Sequence, residues 1–160
     1  MMSMLIKGSQ SLCKKPIFVL AFLIYPCLSF SQVYNIYNEE DTIRIILDDE
    51  YIVISNFKSD SGNFISTLGG YYQLNEGVYR INLEFNSNYD QDSIKSLSIA
   101  KSSKWKNISK ENDILKGKWV MSGRYNNGEF RTRNTGLPRK TMKVLIDGFF
   151  QWIAFNTETF

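Results

Sequence analysis

The chain has 160 residues, a formal net charge of +3, no histidine and two cysteines, Cys13 and Cys27. Both cysteines lie among the first 31 residues, which have the pattern of a removable export signal. The mature protein, of about 130 residues, would form one domain. It would lack imidazole, thiol and disulfide groups. This excludes His-based catalytic triads, cysteine nucleophiles and zinc sites with His or Cys ligands.

Residues 1–31 have the layout of a secretory signal peptide. Three lysines and no acidic residue accompany an apolar run at 17–24, and small residues stand at −3 and −1 before Gln32. The run is shorter than the roughly 20 residues that a helix needs to span a bilayer. We therefore expect cleavage between Ser31 and Gln32, with no transmembrane span after signal removal.

Lipoprotein processing at Cys27 is the alternative fate of this segment, and we do not expect it. Residues 24–26, Ile-Tyr-Pro, lack the small side chains that precede a lipobox cysteine. A mature chain without cysteine suits an oxidising compartment. The sequence thus predicts a secreted or periplasmic protein.

The remaining sequence predicts eight or nine short strands and no long amphipathic helix. Residues 78–85 alternate most clearly, placing Tyr79, Ile81, Leu83 and Phe85 on one face. Other predicted strands cover 42–47, 51–57, 64–74, 93–100, 118–125, 141–146 and 149–155. This spacing is typical of a small antiparallel barrel or sandwich.

Turn residues separate these predicted strands. Gly69-Gly70 predicts a β-bulge or a close backbone approach inside a strand. Asn75-Glu76-Gly77, Asn126-Asn127-Gly128 and Asp147-Gly148 predict tight hairpins, the last of type I′.

Charge is divided unevenly along the chain. Residues 32–93 hold 11 acidic and 3 basic side chains, net −8, whereas residues 94–160 hold 13 basic and 5 acidic, net +8. Such asymmetry can mark a nucleic-acid or membrane face. We favour the simpler interpretation that the two halves attract each other within one domain.

Two segments of the chain are alike at a shift of 99 residues. Residues 42–51, TIRIILDDEY, match residues 141–150, TMKVLIDGFF, in hydrophobicity, in the basic third position and in the turn aspartate. Ile54 then corresponds to Ile153. This pattern indicates a weak internal repeat.

Three segments resemble a known family: ILKGKW at 114–119, RKTMKVL at 139–145 and FQWIAFNTET at 150–159. They are similar to secreted lipocalin-like proteins of Gram-negative bacteria, which carry two tandem repeats and have no established function. The resemblance covers nearly the whole mature chain, more strongly from Trp105 onward. It implies an all-β fold, a small antiparallel lipocalin-like (calycin-type) barrel. A first partial repeat would span residues 32–113. Residues 114–160 would be the first part of a second, truncated repeat.

The chain departs from this family in two places. No Gly-x-Trp strand precedes Thr42, and the second repeat stops after its third strand, so the chain resembles a shortened member. We expect residues 118–125 to supply the first strand that the first repeat lacks. The fold would then be a composite of two partial repeats.

The candidate ligand or barrel-interior residues are Trp119, Tyr125, Phe150 and Trp152, which fall on predicted strands. A small barrel fills its interior with such side chains or leaves room for one apolar ligand. The resemblance implies that Trp119 closes the base of the barrel. Phe149 to Phe155 is apolar on both faces, so its inward face stays open at this point.

A second set of candidates is basic: Arg124, Arg131, Arg133, Arg139 and Lys140. They could bind phosphate, an anionic glycan, lipid headgroups or a protein partner, or they could be a solvated loop. Nucleic acid is not expected as a partner, because the protein is exported and has no recognised module.

Catalysis, metals and cofactors are not expected. The acidic clusters at 39–41 and 48–50 have no EF-hand spacing and lie at predicted turns. Serine is abundant but has no activating partner.

We expect an exported, non-enzymatic protein that binds a small apolar or amphipathic ligand. An envelope interaction or structural protein with a solid barrel and a partner-binding basic loop is the alternative. A truncated remnant without function is the third possibility. The sequence leaves the oligomeric state open.

Overall fold

The computed structural model describes residues 31–88, 94–110 and 116–159. Residues 1–30 of the predicted signal peptide, with Cys27, lie outside the described residues, as do residues 111–115 at the predicted repeat boundary. No helix in the described part is long and apolar enough to cross a membrane.

All regular elements of the described residues are β-strands, and every pairing is antiparallel. The first six strands are β1 (Gln32–Tyr37), β2 (Asp41–Leu47), β3 (Tyr51–Lys58), β4 (Phe64–Asn75), β5 (Val78–Asn86) and β6 (Ser96–Ala100). The others are β7 (Lys106–Asn107), β8 (Gly117–Val120), β9 (Gly123–Asn126), β10 (Glu129–Thr132), β11 (Arg139–Ile146) and β12 (Phe149–Asn156).

The strands form a seven-stranded sheet, a three-stranded sheet and a two-stranded ribbon. Their orders are β6-β5-β4-β3-β2-β1-β7, β12-β11-β8 and β10-β9. Within the described residues, β6 and β7 are edges of the large sheet and do not pair with each other, so no closed barrel is found. The all-β prediction is confirmed in its coarse form.

Local chemistry explains most strand boundaries. The predicted tight hairpins are present, since Glu76, Asn127 and Asp147 have φ near +50° and each precedes a glycine with positive φ. The main differences from the predicted strands in the C-terminal half are two. The strand expected at 118–125 is divided into β8 and β9, and β10 occupies the start of the expected basic loop.

One core lies between the two larger sheets. Large-sheet residues such as Val33, Ile46 and Val53 pack against β11 and β12. The inward side chains of the small sheet are Met142, Val144, Ile146, Ile153 and Phe155. A hydrogen bond from Ser55 Oγ to Gln151 Oε1 (3.0 Å) also joins the sheets. The side chains of β12 that point into this core are therefore those at odd-numbered positions, such as Ile153 and Phe155.

A second core lies on the opposite face of the large sheet. Its buried members are Tyr34, Ile45, Leu47, Ile52, Tyr79, Ile81 and Leu83. We call this set the concave cluster, because the sheet curls around it. Trp105 contacts both Tyr34 on β1 and Tyr79 on β5, although three strands separate β1 from β5 in the sheet.

The bulge predicted at Gly69-Gly70 is present and changes one expectation. The register shifts between these glycines, with Gly70 opposite Leu83 and Gly69 opposite Phe85, so Glu84 is an extra residue. Phe85 therefore turns into the inter-sheet core, whereas Leu83 stays in the concave cluster. The prediction that these two residues share a face is wrong.

The composite-barrel expectation is also wrong. Strand β8 pairs with β11 in the small sheet, while β2 has β1 and β3 as neighbours. Both predicted repeat copies form hairpins, but β2–β3 begins pairing at Leu47↔Ile52 and β11–β12 at Ile146↔Phe149. At the 99-residue shift these registers differ by two, so the repeat itself stays a prediction.

Candidate functional site

A pocket of about 580 Å³ opens on the concave face of the large sheet. It is lined by Tyr34, Leu47, Tyr72, Leu74, Tyr79 and Lys101, with Gln32 and Asp49 also on its wall. Tyr34, Leu47 and Tyr79 are buried members of the concave cluster, so the pocket is continuous with that core. Its size is within the range usual for small-molecule sites.

The loop after β6 forms one side of this pocket. It crosses from β6, at one edge of the sheet, to β7 at the other, and it carries Lys101 and Trp105. The Trp105 ring stacks on Tyr79, with centroids 5.6 Å apart and an interplanar angle of 13°, and it lies 5.5 Å from Tyr34. Trp105 therefore packs against both tyrosines on the concave face and fixes the positions of their rings.

Lys101 is the cationic group of the pocket. Its Nζ donates a hydrogen bond to Tyr34 Oη (2.7 Å) and lies 4.4 Å from the centroid of the same ring. Tyr34 Oη in turn donates to the side-chain oxygen of Gln32. Among the described residues, the Lys101 ammonium thus contacts a phenol and forms no ion pair with a carboxylate, although Asp49 lies on the same pocket wall.

The other two tyrosines are fixed and neutral. Tyr72 Oη donates to the Asp48 carbonyl oxygen (2.9 Å), and the Tyr72 and Tyr79 rings meet edge to face at 5.2 Å. Burial, reinforced by Tyr79, Asp49 and Asp48, raises the pKa of Tyr72 to about 12. Burial also raises the pKa of Tyr79, against the opposing effect of Lys101. Tyr72 and Tyr79 therefore present phenol rings, not phenolates, to the pocket at ordinary pH.

The four aromatic candidates from the sequence do not line this pocket. Trp119, Phe150 and Trp152 lie on the outward face of the small sheet and are 52%, 64% and 60% exposed. Lys143 pairs with Trp119 on one side and Trp152 on the other, which places the three side chains in one row across β8, β11 and β12. A small hollow of about 210 Å³ lies along this row.

Tyr125 lies on the ribbon and is 77% exposed. It pairs with Phe130 across β9 and β10, with ring centroids 5.2 Å apart. The structure therefore places these four aromatic side chains on the surface, whereas the sequence predicted them in a barrel interior. A ligand-binding role for them stays a prediction.

The basic candidates are placed in two groups. Arg124 and Arg131 are directly opposite each other on the ribbon, on the face away from Tyr125 and Phe130. Arg133 Nη2 donates to the Arg139 carbonyl oxygen (2.9 Å). Lys140, opposite Phe155, is half-buried near the start of β11.

The two predicted acidic clusters lie mainly at exposed turns. The described residues contain no group of three or more Asp, Glu, His or Cys side chains able to hold a metal ion. Among the described residues, one ion pair joins the acidic half of the chain to the basic half. It lies between Lys118 Nζ and Glu50 Oε1, which are 3.5 Å apart. The packing between the sheets is mainly apolar, so charge attraction contributes little to their association.

A second groove, of about 410 Å³, follows the free edge of β12 above Thr67, Phe85 and Asn86. Its buried polar groups already have partners. Thr67 Oγ1 bonds Ser55 Oγ (2.9 Å), and Asn86 Oδ1 accepts from the Asn88 amide (2.9 Å). Arg139 and Trp152, two of the candidates from the sequence, also line this groove. The tyrosine pocket, which is larger and is walled by three tyrosine rings, is the stronger candidate site.

Sequence reasoning missed Tyr34, Tyr72 and Lys101, and it treated Tyr79 only as a strand residue. The available signal was that Tyr72 and Tyr79 flank the predicted hairpin at Glu76-Gly77, which makes them diagonal neighbours on one face of the sheet. Nothing local indicated that Trp105 and Lys101 would cross the sheet to join them.

Comparison with known proteins does not assign this chain to a family. No known protein family, curated protein or solved structure matches this chain. The lipocalin-like resemblance therefore remains a prediction based on short motifs.

Proposed function

We propose that this protein binds one small amphipathic molecule in the tyrosine pocket. The apolar body of the ligand would lie against the rings of Tyr72 and Tyr79 and the side chains of Leu47 and Leu74. A polar, anionic end would lie at Lys101. The observation that carries the proposal is an exposed lysine that lines an aromatic-walled pocket and forms no ion pair among the described residues.

Three properties support a ligand of this class. The pocket volume fits a small molecule rather than a macromolecule. Phenol rings provide apolar surface with polar edges, which suits amphipathic ligands. The Trp105 stack pre-forms the pocket wall, which lowers the entropy lost on binding.

The test is binding of anilinonaphthalene sulfonate, an anionic fluorescent probe with an apolar ring system, to the monomeric full chain. We expect saturable binding of one probe per chain. Lys101→Glu should weaken this binding about tenfold, because it replaces attraction of the sulfonate by repulsion. Leu74→Trp, which narrows the mouth, should also weaken it.

Lys104→Glu is the matched control, since Lys104 is exposed in the same loop and does not line the pocket. Near-ultraviolet circular dichroism would establish that each variant keeps its tertiary packing, because loosely packed proteins bind this probe non-specifically. Equal probe affinity in the Lys101 and Lys104 variants, or binding without a defined stoichiometry, would refute the proposal.

A further inference from the structure

Strand β12 is an edge of the small sheet and lacks the features that usually protect an edge. It has eight residues, no charged side chain and no proline, and it pairs with β11 without a register shift. The other edge strands in the described part of the chain have five residues at most, and each has a lysine or arginine within it or next to it. Long, regular and uncharged edges are the ones that accept a further strand.

The backbone of β12 directs alternate residues away from β11. The Met121 amide donates to the Thr141 carbonyl oxygen (2.8 Å), so Thr141 faces β8 and forms a non-hydrogen-bonded pair with Ala154 on β12. The Thr157 amide donates to the Pro138 carbonyl oxygen (3.2 Å), which indicates the same alternation at the end of β12. The residues whose N–H and C=O groups point to the free edge are therefore Phe150, Trp152, Ala154 and Asn156.

The groove of about 410 Å³ runs along these edge groups. Trp152, Ala154 and Asn156 line it from β12, and the opposite wall belongs to the large sheet around Thr67. The buried side chains of that wall already have hydrogen-bond partners. Within the described residues, the edge backbone of β12 has one partner, the Gln151 side chain, whose Nε2 donates to the Trp152 carbonyl oxygen (3.4 Å). The groove therefore lacks a backbone partner rather than a side-chain ligand.

A second copy of this chain does not fit as the occupant of the groove. Its β12 would have to lie directly above the wall that includes Thr67. Each β12, however, already has its own large sheet beneath it, with the Phe155 and Phe85 rings in contact at a centroid distance of 5.6 Å. The large sheets of two copies would therefore occupy the same space, whereas a single extended peptide segment brings no second layer.

Charge indicates one further property of the occupant. Arg139 lies opposite Asn156, lines the groove, is exposed and forms no ion pair among the described residues. Arg133 contacts the carbonyl oxygen of Arg139 and not its guanidinium. A carboxylate on a bound segment would therefore find a cation at this end of β12.

We infer that the free edge of β12 binds an extended peptide segment of a partner protein, with an acidic side chain at the Arg139 end. The segment would add a fourth strand to the small sheet. Its alternate side chains would enter the groove above Phe85, and the others would face solvent. Backbone hydrogen bonds to β12 would supply most of the affinity, and the groove would select among side chains.

A phage-displayed library of linear heptapeptides, selected against the full chain, supplies the probe, and fluorescence anisotropy measures its affinity. Ala154→Pro removes an amide that points to the free edge and leaves the hydrogen bonds to β11, so the fold should be retained. We expect it to weaken peptide binding at least about tenfold, because a backbone hydrogen bond is lost and the peptide carbonyl is left unpaired. Ala154→Ser keeps the amide and should bind the peptide like the unaltered protein.

Methylation of the peptide tests strand addition without changing the protein. A bound strand directs only alternate amides at β12, so methylating one alternate set of peptide amides should abolish binding. Methylating the other set should not. This measurement does not depend on the folding of the Ala154→Pro variant.

Charge reversal tests the cation at the end of the groove. Arg139→Glu should weaken binding of the selected peptide about fivefold, the upper end for an exposed ion pair. Arg80→Glu is the matched control, since Arg80 is exposed on β5 and does not line the groove. It should leave the affinity unchanged.

Hydrogen exchange tests whether the edge is free before the peptide binds. In the monomer without peptide, the amides of Trp152 and Ala154 should exchange faster than those of Gln151 and Ile153, which point to β11. Added peptide should slow the exchange of Trp152 and Ala154.

Four outcomes would overturn the inference. They are a selection that yields no peptide sensitive to Ala154→Pro, equal losses for Ala154→Pro and Ala154→Ser, edge amides already protected in the monomer without peptide, and protection that appears only when the protein dimerises. Lys101→Glu should leave peptide binding intact, and Ala154→Pro should leave probe binding in the tyrosine pocket intact. The two proposals can therefore fail separately.

Discussion

Replacing Trp105 by alanine should destabilise the protein by about 2–3 kcal/mol. The change removes two aromatic contacts, the stack on Tyr79 and the tilted contact with Tyr34. Each such pair contributes about 0.5–1.5 kcal/mol beyond burial. A fully buried Trp→Ala substitution costs about 3–5 kcal/mol, and Trp105 is only half-buried, so the total falls below that range.

The assay is urea unfolding followed by far-ultraviolet circular dichroism, which does not depend on the number of tryptophans. The matched control is Trp119→Ala, because Trp119 is 52% exposed on the outward face and its loss should change stability by about 0.5 kcal/mol or less. Equal unfolding midpoints for the two variants would refute the claim that Trp105 holds the curled sheet. Trp105→Ala should also weaken probe binding, since the stacked pocket wall would be lost.

Three further predictions concern other contacts. Tyr51→Phe should cost about 1.5 kcal/mol, since its hydroxyl donates to the Glu84 carboxylate (2.8 Å) and charged hydrogen bonds contribute about 1.5–3 kcal/mol. Gly70→Ala should cost about 1–3 kcal/mol in urea unfolding, because the added methyl would collide with the Asn82 carbonyl. Stability should fall as the pH rises from about 10 to about 12, because Tyr72 ionises in the unfolded chain before it does so in the folded one.

Each of these has its own control. Tyr71→Phe removes a more exposed hydroxyl and should cost less than Tyr51→Phe; the reverse order would contradict the Glu84 contact. Gly136→Ala meets only the Asn134 side chain and should be tolerated, so equal losses at Gly70 and Gly136 would argue against the bulge. For the pH prediction, an ultraviolet absorbance titration with every tyrosine ionising near its usual pKa would be the contrary result.

Strand positions followed from the sequence because they depend on local chemistry. The predicted 51–57 and 149–155 are close to β3 and β12, since alternation and turn residues determine where a strand begins and ends. The positive φ values of Asp147 and Gly148 match the predicted type I′ hairpin. The bulge at Gly69-Gly70 was also visible, because paired glycines inside a strand indicate a close backbone approach.

The candidate site was not predictable in the same way. The sequence pointed to aromatic residues near the C-terminus as ligand-binding candidates, but one of them, Trp152, is 60% exposed. The aromatic walls of the pocket are instead Tyr34, Tyr72 and Tyr79. Inward and outward faces of β12 are both apolar, so alternation alone could not assign them. That assignment required the position of the large sheet.

The sequence by itself determined an all-β chain, its turns and its division into an acidic and a basic half. These depend on side-chain type and on spacings of a few residues. Tertiary structure decided the strand order and which face of each sheet is buried. It also decided that the loop with Trp105 crosses the concave face of the large sheet. Such choices depend on contacts between distant residues, such as Trp105 with Tyr34, whose free energy is gained only when the sheet curls. The tyrosine pocket is a result of that long-range packing.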